Sequence, residues 1–505
     1  MTQIKAYTGE THKSKQRIVI IGAGVGGTAA AARLATLGHE VVVLEKNSFG
    51  GGRCSLISEK GFRFDQGPSI LLMPQIFQET YADLGFNMDD VLDVRKCDTN
   101  YKIHFPDNDS LTMTTDLVEM KKEFERVEPG SFEGMVGFFD ASECEVWLEN
   151  ESTGLFVGSC RTYFKSDKMK KAFTFQSMYM GMSPYDAPGT YNLLSYSEWA
   201  DGIHYPVGGF NMVYRGATFQ YNTPVKRIDV DSATGLANGV TLENGEQIHA
   251  DIVVCNQDLV TAYNTLLPKT QYSRSLQSKN QTCSTISFYW GLNQKLPTEN
   301  FHAHNVFLAN EYRPSFDSIF KNNTLPDSPS FYIHIPTRVD PSAAPEGCET
   351  LAVLVPTGII TEKTTEQEMK SIHARARAAV IEAVQSRIPG CDDFESWIVT
   401  ESVNTPFTWE EKFGLWKGSA LGLSHDLLQV IYMRPKMRHA NYGNLFFVGA
   451  STHPGTGVPV VLCGAKLLEE EIETILAKGR ASGTKILIAF ISMNVGSSSV
   501  GVVEA

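Results

Sequence analysis

The chain has 505 residues, 42% hydrophobic and 20% charged, an ordinary composition for a folded protein with room for two or three cores. A formal net charge of −13 argues against nucleic acid as a partner, and means that any attachment to an anionic membrane must be apolar or locally basic. Nine cysteines without a C-x-x-C pair or metal-ligand spacing read as reduced thiols of a cytosol-facing protein, and no metal site is expected.

Residues 1–16 are polar and hold no apolar core, so no secretory signal is expected. No stretch reaches the roughly 18 apolar residues of a membrane-spanning helix. Arg17–Ile21 is β-branched and reads as a short buried parallel strand. Gly22, Gly24 and Gly27 then satisfy G-x-G-x-x-G, and the Ala-rich run Thr28–Leu37 predicts a helix that Gly38 ends. Glu40–Leu44 is a second strand with Glu45 at its end. Each part has a job in holding a dinucleotide. Gly22 allows the tight turn, Gly24 lets backbone N–H groups approach a pyrophosphate, and Gly27 lets helix and strand pack closely. Glu45 suits a ribose hydroxyl. Phe49-Gly50-Gly51-Gly52-Arg53 follows. In many two-domain flavoproteins a Gly-Gly-Arg turn stands here, and Gly51, Gly52 and the planar fork of Arg53 suit a flavin diphosphate. That favours FAD, with NAD(P) as the alternative cofactor or as electron acceptor.

Further along, Tyr163-Phe164-Lys165 with Lys168, Lys170 and Lys171 is a basic, aromatic cluster. It suits anionic headgroups, or is a solvated helix start. Asp186 lies in the Pro-flanked loop Ser183–Pro188. Buried there, it would be a raised-pKa base; otherwise it caps a turn. Val240–His249, with Asn244-Gly245 between two short strands, predicts a hairpin, and Asp251–Asn256 another buried strand. Ile286–Trp290, Ser330–Ile335 and Thr350–Val355 predict strands of a second sheet, and Thr365–Ile388 a helix. His302 and His304 have no companion metal ligands. Trp409–Leu423 lines an apolar tunnel or is plain core.

Leu445–Val448 predicts a strand that runs into a turn with Gly449, His453-Pro454-Gly455, Thr456 and Gly457, before a helix over Gly464–Ile475. Such a turn is a ready anion or cofactor site. Backbone donors at Gly455, Thr456 and Gly457 can stabilise negative charge on a flavin ring. His453 is either a catalytic base or, as the turn geometry favours, a residue that holds the turn by hydrogen bonds.

Together these stretches resemble the phytoene desaturase (carotenoid desaturase) family of the bacterial and fungal type, most closely its fungal members. The resemblance rests on Gly22–Gly27, on Gly51-Gly52-Arg53 with Ser55–Ile57, and on Phe64–Ser69. It continues in Lys171–Gln176, Tyr179–Pro188, Tyr205–Phe210, Leu415–His425 and the segment from Asn444 to Gly464. It implies a discontinuous, doubly wound, Rossmann-like FAD-binding domain, a second α+β substrate domain and a membrane-contacting helical region. The expected division is 17–61, 201–285 and 402–475 for the FAD domain, 62–200 for the substrate and membrane-contact region, and 286–401 for the substrate domain. Residues 1–16 and 476–505 lie outside it. The implied activity is stepwise desaturation of 15-cis-phytoene toward lycopene or a more desaturated carotene. The implied partners are phytoene and partly desaturated carotenes, a membrane surface, and an acceptor such as quinone or oxygen. The implied location is peripheral on a cytosol-facing membrane such as the endoplasmic reticulum.

The chain departs from that pattern in three places. Relatives carry a longer helical stretch between Gly134 and Tyr163, and a full helix after Met212 where only Val213–Thr218 stands here. The tail beyond Ile475 is unlike the family and has no hydrophobic anchor. These departures leave room for a relative with another apolar substrate, such as a carotenoid oxidase, isomerase or amine oxidase relative, or for an inactive flavin-binding paralogue.

Overall fold

The run Arg-Ile-Val-Ile-Ile has no polar face to give to water, so it needs cover on both sides. The computed structural model, which describes residues 15–143, 156–211 and 219–481, provides it. Arg17–Ile21 is the central strand of a five-stranded parallel sheet, in the order Leu445–Phe447, Ile252–Cys255, Arg17–Ile21, Glu40–Leu44, Phe219–Gln220. Ile18 and Ile20 pack with Ala30, Leu34 and Leu468, from the helices Val25–Thr36 and Val458–Ala481. Val19 and Ile21 pack on the opposite side with Ile228, Ala237 and Val240. These belong to a three-stranded antiparallel sheet, Val225–Asp231, Leu236–Leu242 and Gln247–His249, which contains the expected hairpin.

A second, seven-stranded sheet runs Ile398–Asn404, Ser284–Leu292, Glu349–Thr357, Phe331–His334, His304–Phe307, Tyr101–His104, Ser110–Met113. Its pairs are antiparallel except His304–Phe307 with Tyr101–His104. Alternation sorts its faces. Ile286, Phe288, Trp290 and Val353 pack on the helix Glu366–Arg387. The other face is buried yet polar-aromatic, with Tyr101, Tyr289, His304, Tyr332 and His334. Two of its strands come from residues 101–113, far from the 286–401 segment that supplies most of the rest.

A helical region has an aromatic core. Phe138 and Phe164 pack around Phe173, and Phe139 stacks on Trp199 at 4.9 Å. Among the described residues no helix is long and apolar enough to cross a membrane. The final helix starts at Val458 and runs to Ala481, longer at both ends than the expected Gly464–Ile475. Residues 144–155, 212–218 and 482–505 lie outside the described residues, so parts of the stretches expected to be shorter than in relatives, between Gly134 and Tyr163 and over Val213–Thr218, fall there.

Candidate functional site

The parallel sheet delivers two glycine turns to one edge. At the first, Gly22 adopts φ +91° and donates its N–H to Leu44 O at 2.8 Å. The helix Val25–Thr36 starts from Gly24 with no side-chain cap. The N–H groups of Gly26 and Gly27 have no acceptor among the described residues, as first-turn donors lack intrahelical partners. A Cβ on Gly27 would sit 2.1 Å from Gly22 O, so only glycine closes this turn. Glu45 is buried. Its carboxylate accepts the Ala23 N–H at 2.8 Å and the Asn47 backbone and side-chain N–H groups at 2.9 Å. It therefore braces the turn, besides standing where a ribose is expected.

The Gly50–Arg53 turn is strapped onto the first. Gly51 N–H donates to Ala23 O at 2.8 Å, and a Cβ on Gly52 would lie 3.2 Å from Gly24 Cα. Arg53 donates through Nη1 to Ala420 O. Among the described residues no carboxylate forms an ion pair with it. Burial lowers its pKa, and the field of Asp258, whose own carboxyl is pushed up by burial, partly offsets this. The result is a cation held in a cradle of small residues, short of negative charge.

The second turn follows Leu445–Phe447. Gly449, Gly455 and Gly457 adopt φ +135°, +150° and +96°. Thr452 donates its N–H and Oγ1–H to Gly449 O at 3.1 and 2.8 Å. Thr456 is buried. The N–H groups of Gly455, Thr456 and Gly457 have no acceptor among the described residues, and they open the helix Val458–Ala481. The segment Ser419–His425 joins the two turns. Its Ala420 O receives Arg53, and its Leu423 N–H donates to Ser451 Oγ at 3.1 Å. Arg434, which the sequence reading missed, donates to Ala450 O and to Ser424 O and lies 3.3 Å from His425 Nε2. Burial brings Arg434 down to about 10 and His425 to about 3, so His425 is a neutral spacer.

The two residues offered as possible proton acceptors, Asp186 and His453, both lie at the surface. Asp186 is exposed, not buried. Its N–H donates to Ser183 O at 3.0 Å, as in a turn. The His453 ring is exposed and makes no hydrogen bond among the described residues. It holds the turn through its backbone, whose N–H donates to Pro435 O at 3.0 Å. The buried carboxyls are elsewhere. Asp65 accepts from Tyr205 Oη–H at 2.5 Å and Phe210 N–H at 2.7 Å, and burial pushes it up to about 6. Glu198 accepts from Tyr101 Oη–H at 2.8 Å and is pushed up to about 8. A single Glu inside a helix gives no such signal in sequence.

The basic, aromatic cluster is also not a free face. Phe164 is buried and stacks on Phe173 at 4.5 Å. Lys168 pairs with Asp107 and Asp109 at 2.6 and 2.8 Å. In Trp409–Leu423, Trp409 is buried and donates to Thr285 O at 2.9 Å, which makes it core. Among the described residues no group of three His, Cys, Asp or Glu could hold a metal.

The chain has relatives of known kind. The sequence profile of the family "Flavin containing amine oxidoreductase" matches residues 25–462. The phytoene desaturase of Phycomyces blakesleeanus is 46% identical over 90% of this chain and 85% of its own length. That of Fusarium fujikuroi is 45% identical over 91% and 89%. An oxidoreductase structure from Methanosarcina mazei superposes with a TM-score of 0.63 at 15% identity, over 90% of this chain and all of its own, and so supports the fold alone. The paired glycine turns, the cation between them and similarity of this extent lead to one conclusion: the chain is a flavin-containing oxidoreductase and belongs to the phytoene desaturase family.

Proposed function

We propose that this chain is an FAD-dependent desaturase that introduces successive C–C double bonds into phytoene. The observation that carries the substrate is similarity to fungal phytoene desaturases over nearly the whole chain. The cofactor is supported by the cradle itself. Gly24, Gly26, Gly27 and Gly51 have no room for side chains, and among the described residues two of its N–H groups have no acceptor and Arg53 has no carboxylate partner. That donor set fits a diphosphate.

In this reading Gly22, Gly24, Gly27, Gly51, Gly52 and Arg53 hold the diphosphate and Glu45 the ribose. Gly449, Gly455, Thr456 and Gly457 line the ring side. Bound FAD would supply the acceptor for a hydride from the substrate carbon. The chain's own part is to position the hydrocarbon, exclude water and meet negative charge at the ring with the N–H groups of Gly455, Thr456 and Gly457. His453 is the proton acceptor best supported, because it stands on that same turn. Asp186 stays the alternative, from an exposed loop.

A C40 hydrocarbon dissolves in bilayers, so the protein works at a membrane surface. Leu428, Tyr432 and Met433 are 56%, 78% and 48% exposed on one short segment, and they support this as the contact. Quinone or oxygen is the proposed final acceptor.

Expression in cells that accumulate phytoene tests the activity. Coloured polyenes in the extracted pigment are expected. Unchanged phytoene beside a protein-bound flavin spectrum would reject desaturation and leave a flavoprotein with another apolar substrate or an inactive paralogue. Gly24→Val should purify without flavin.

A further inference from the structure

We propose that Asn256 is a positioning residue that locks the two glycine turns of the flavin site into one frame. The inference rests on the flavin reading above and deepens it.

Asn256 follows the strand Ile252–Cys255, which lies between the strands Arg17–Ile21 and Leu445–Phe447. Its backbone N–H donates to Ile21 O at 2.8 Å. Its Nδ2 donates to Val448 O at 2.7 Å. One residue thus ties the ends of both neighbouring strands, each at the point where it enters its glycine turn. The carbonyl of Val448 can only accept, so it fixes which end of the amide is nitrogen.

The surrounding glycines make room for this side chain. A Cβ on Gly24 would lie 2.8 Å from Asn256 Oδ1. On Gly26 it would lie 2.7 Å from Nδ2, and on Gly449 3.0 Å from Nδ2. On Gly27 it would lie 3.2 Å from the Asn256 Cβ. So these glycines, from segments more than 400 positions apart in the sequence, close on one amide. Gly26 and Gly27 carry the N–H groups without acceptors. Where Asn256 sits decides where those donors point, and how they stand relative to the Gly449 turn.

Aspartate has the same shape and the wrong chemistry. An ionised carboxylate would face the Val448 carbonyl with no proton to share, and would add negative charge beside the diphosphate. Alanine removes the tie without that charge.

The test is titration of apoprotein with FAD, followed by flavin fluorescence, for wild type, Asn256→Ala and Asn256→Asp. Melting of each apoprotein is recorded alongside. We expect FAD to bind about 10-fold more weakly to Asn256→Ala and about 100-fold more weakly to Asn256→Asp, as befits a lost, partly buried hydrogen bond and an added like charge. Unchanged FAD affinity in folded Asn256→Asp overturns the proposal, whatever the melting point does. A wild-type apoprotein that takes up no FAD overturns instead the flavin reading on which it rests. Should the Asn256 variants not fold, Gly26→Ala serves, because its methyl group would displace the amide. It is expected to weaken FAD about 10-fold, and unchanged affinity there is equally fatal. Where all fold, the effects of Gly26→Ala and Asn256→Ala should be less than additive, since both disturb one contact, and strict additivity speaks against the shared frame.

Discussion

At the scale of single residues, the site trades stability for binding. A guanidinium in the cradle without a carboxylate partner costs desolvation that only an anion can return. Arg53→Met should therefore leave the apoprotein as stable as wild type or more so, while FAD binds roughly 10- to 100-fold more weakly. Thermal melting of the apoprotein and FAD titration measure the two effects separately, and parallel losses in both would contradict this account. Glu198 makes a different kind of claim. Its folded pKa of about 8 is above that of a free carboxyl, so the native state keeps a proton that the unfolded chain gives up. Stability from this group is full below the unfolded pKa of about 4.5 and falls as pH rises toward 8. Glu198→Gln should thus gain little at pH 5 and on the order of a few kcal/mol at pH 8. Denaturant unfolding across that range checks the sign; a gain that shrinks with rising pH would refute it.

At the scale of elements, what could be read in the sequence divides along local and long-range lines. The strand, glycine turn and helix over 17–36 are local patterns, and Glu40–Leu44 ends where expected. Ser284–Leu292 and Glu349–Thr357 were legible from their β-branched and aromatic runs. Tyr101–His104 and Ser110–Met113 were not. They are four residues each, and they join the sheet only through the pairing of Tyr101–His104 with a strand some 200 positions later. The two readings of the cluster around Tyr163 could not be separated in sequence, because charge and aromaticity say nothing about which side of a helix faces the core; Phe164 faces inward and Lys168 pairs with Asp107 and Asp109. Flanking prolines place Asp186 in a loop but do not give its depth, so its buried and turn-capping readings both stayed open in sequence; it is exposed. The short helix Leu427–Ile431 went unremarked, though it precedes the exposed side chains of Tyr432 and Met433. If that segment meets the bilayer, Leu428→Asp with Tyr432→Asp should abolish flotation with phospholipid vesicles while FAD binding is kept. Undiminished flotation would move the membrane contact elsewhere.

At the scale of the whole molecule, the flavin turns are joined to the second sheet by specific ties. Gln66 O accepts from Tyr289 Oη–H at 2.7 Å, and Gln66 Oε1 accepts from Asn404 and Lys412 at 3.2 and 2.8 Å. Gln66 also donates to Ser55 Oγ at 2.6 Å, just past the Gly50–Arg53 turn. A ligand in the cradle should therefore stabilise both sheets. FAD at 100 times its Kd should add about 2.7 kcal/mol and raise a single melting transition. A second transition that FAD does not shift would mean that the seven-stranded sheet melts independently.

The strand order has a consequence for how the protein comes into being. The sheet places Leu445–Phe447 beside Ile252–Cys255, and Ile252–Cys255 beside Arg17–Ile21. On the ribosome, Gly22–Gly27 emerges tens of seconds before Gly455–Gly457, at about 5–20 residues per second. For most of its synthesis, then, the nascent chain carries half a cradle with its hydrophobic edge uncovered. The complete cradle can therefore form only once Leu445–Phe447 has joined the sheet, late in synthesis.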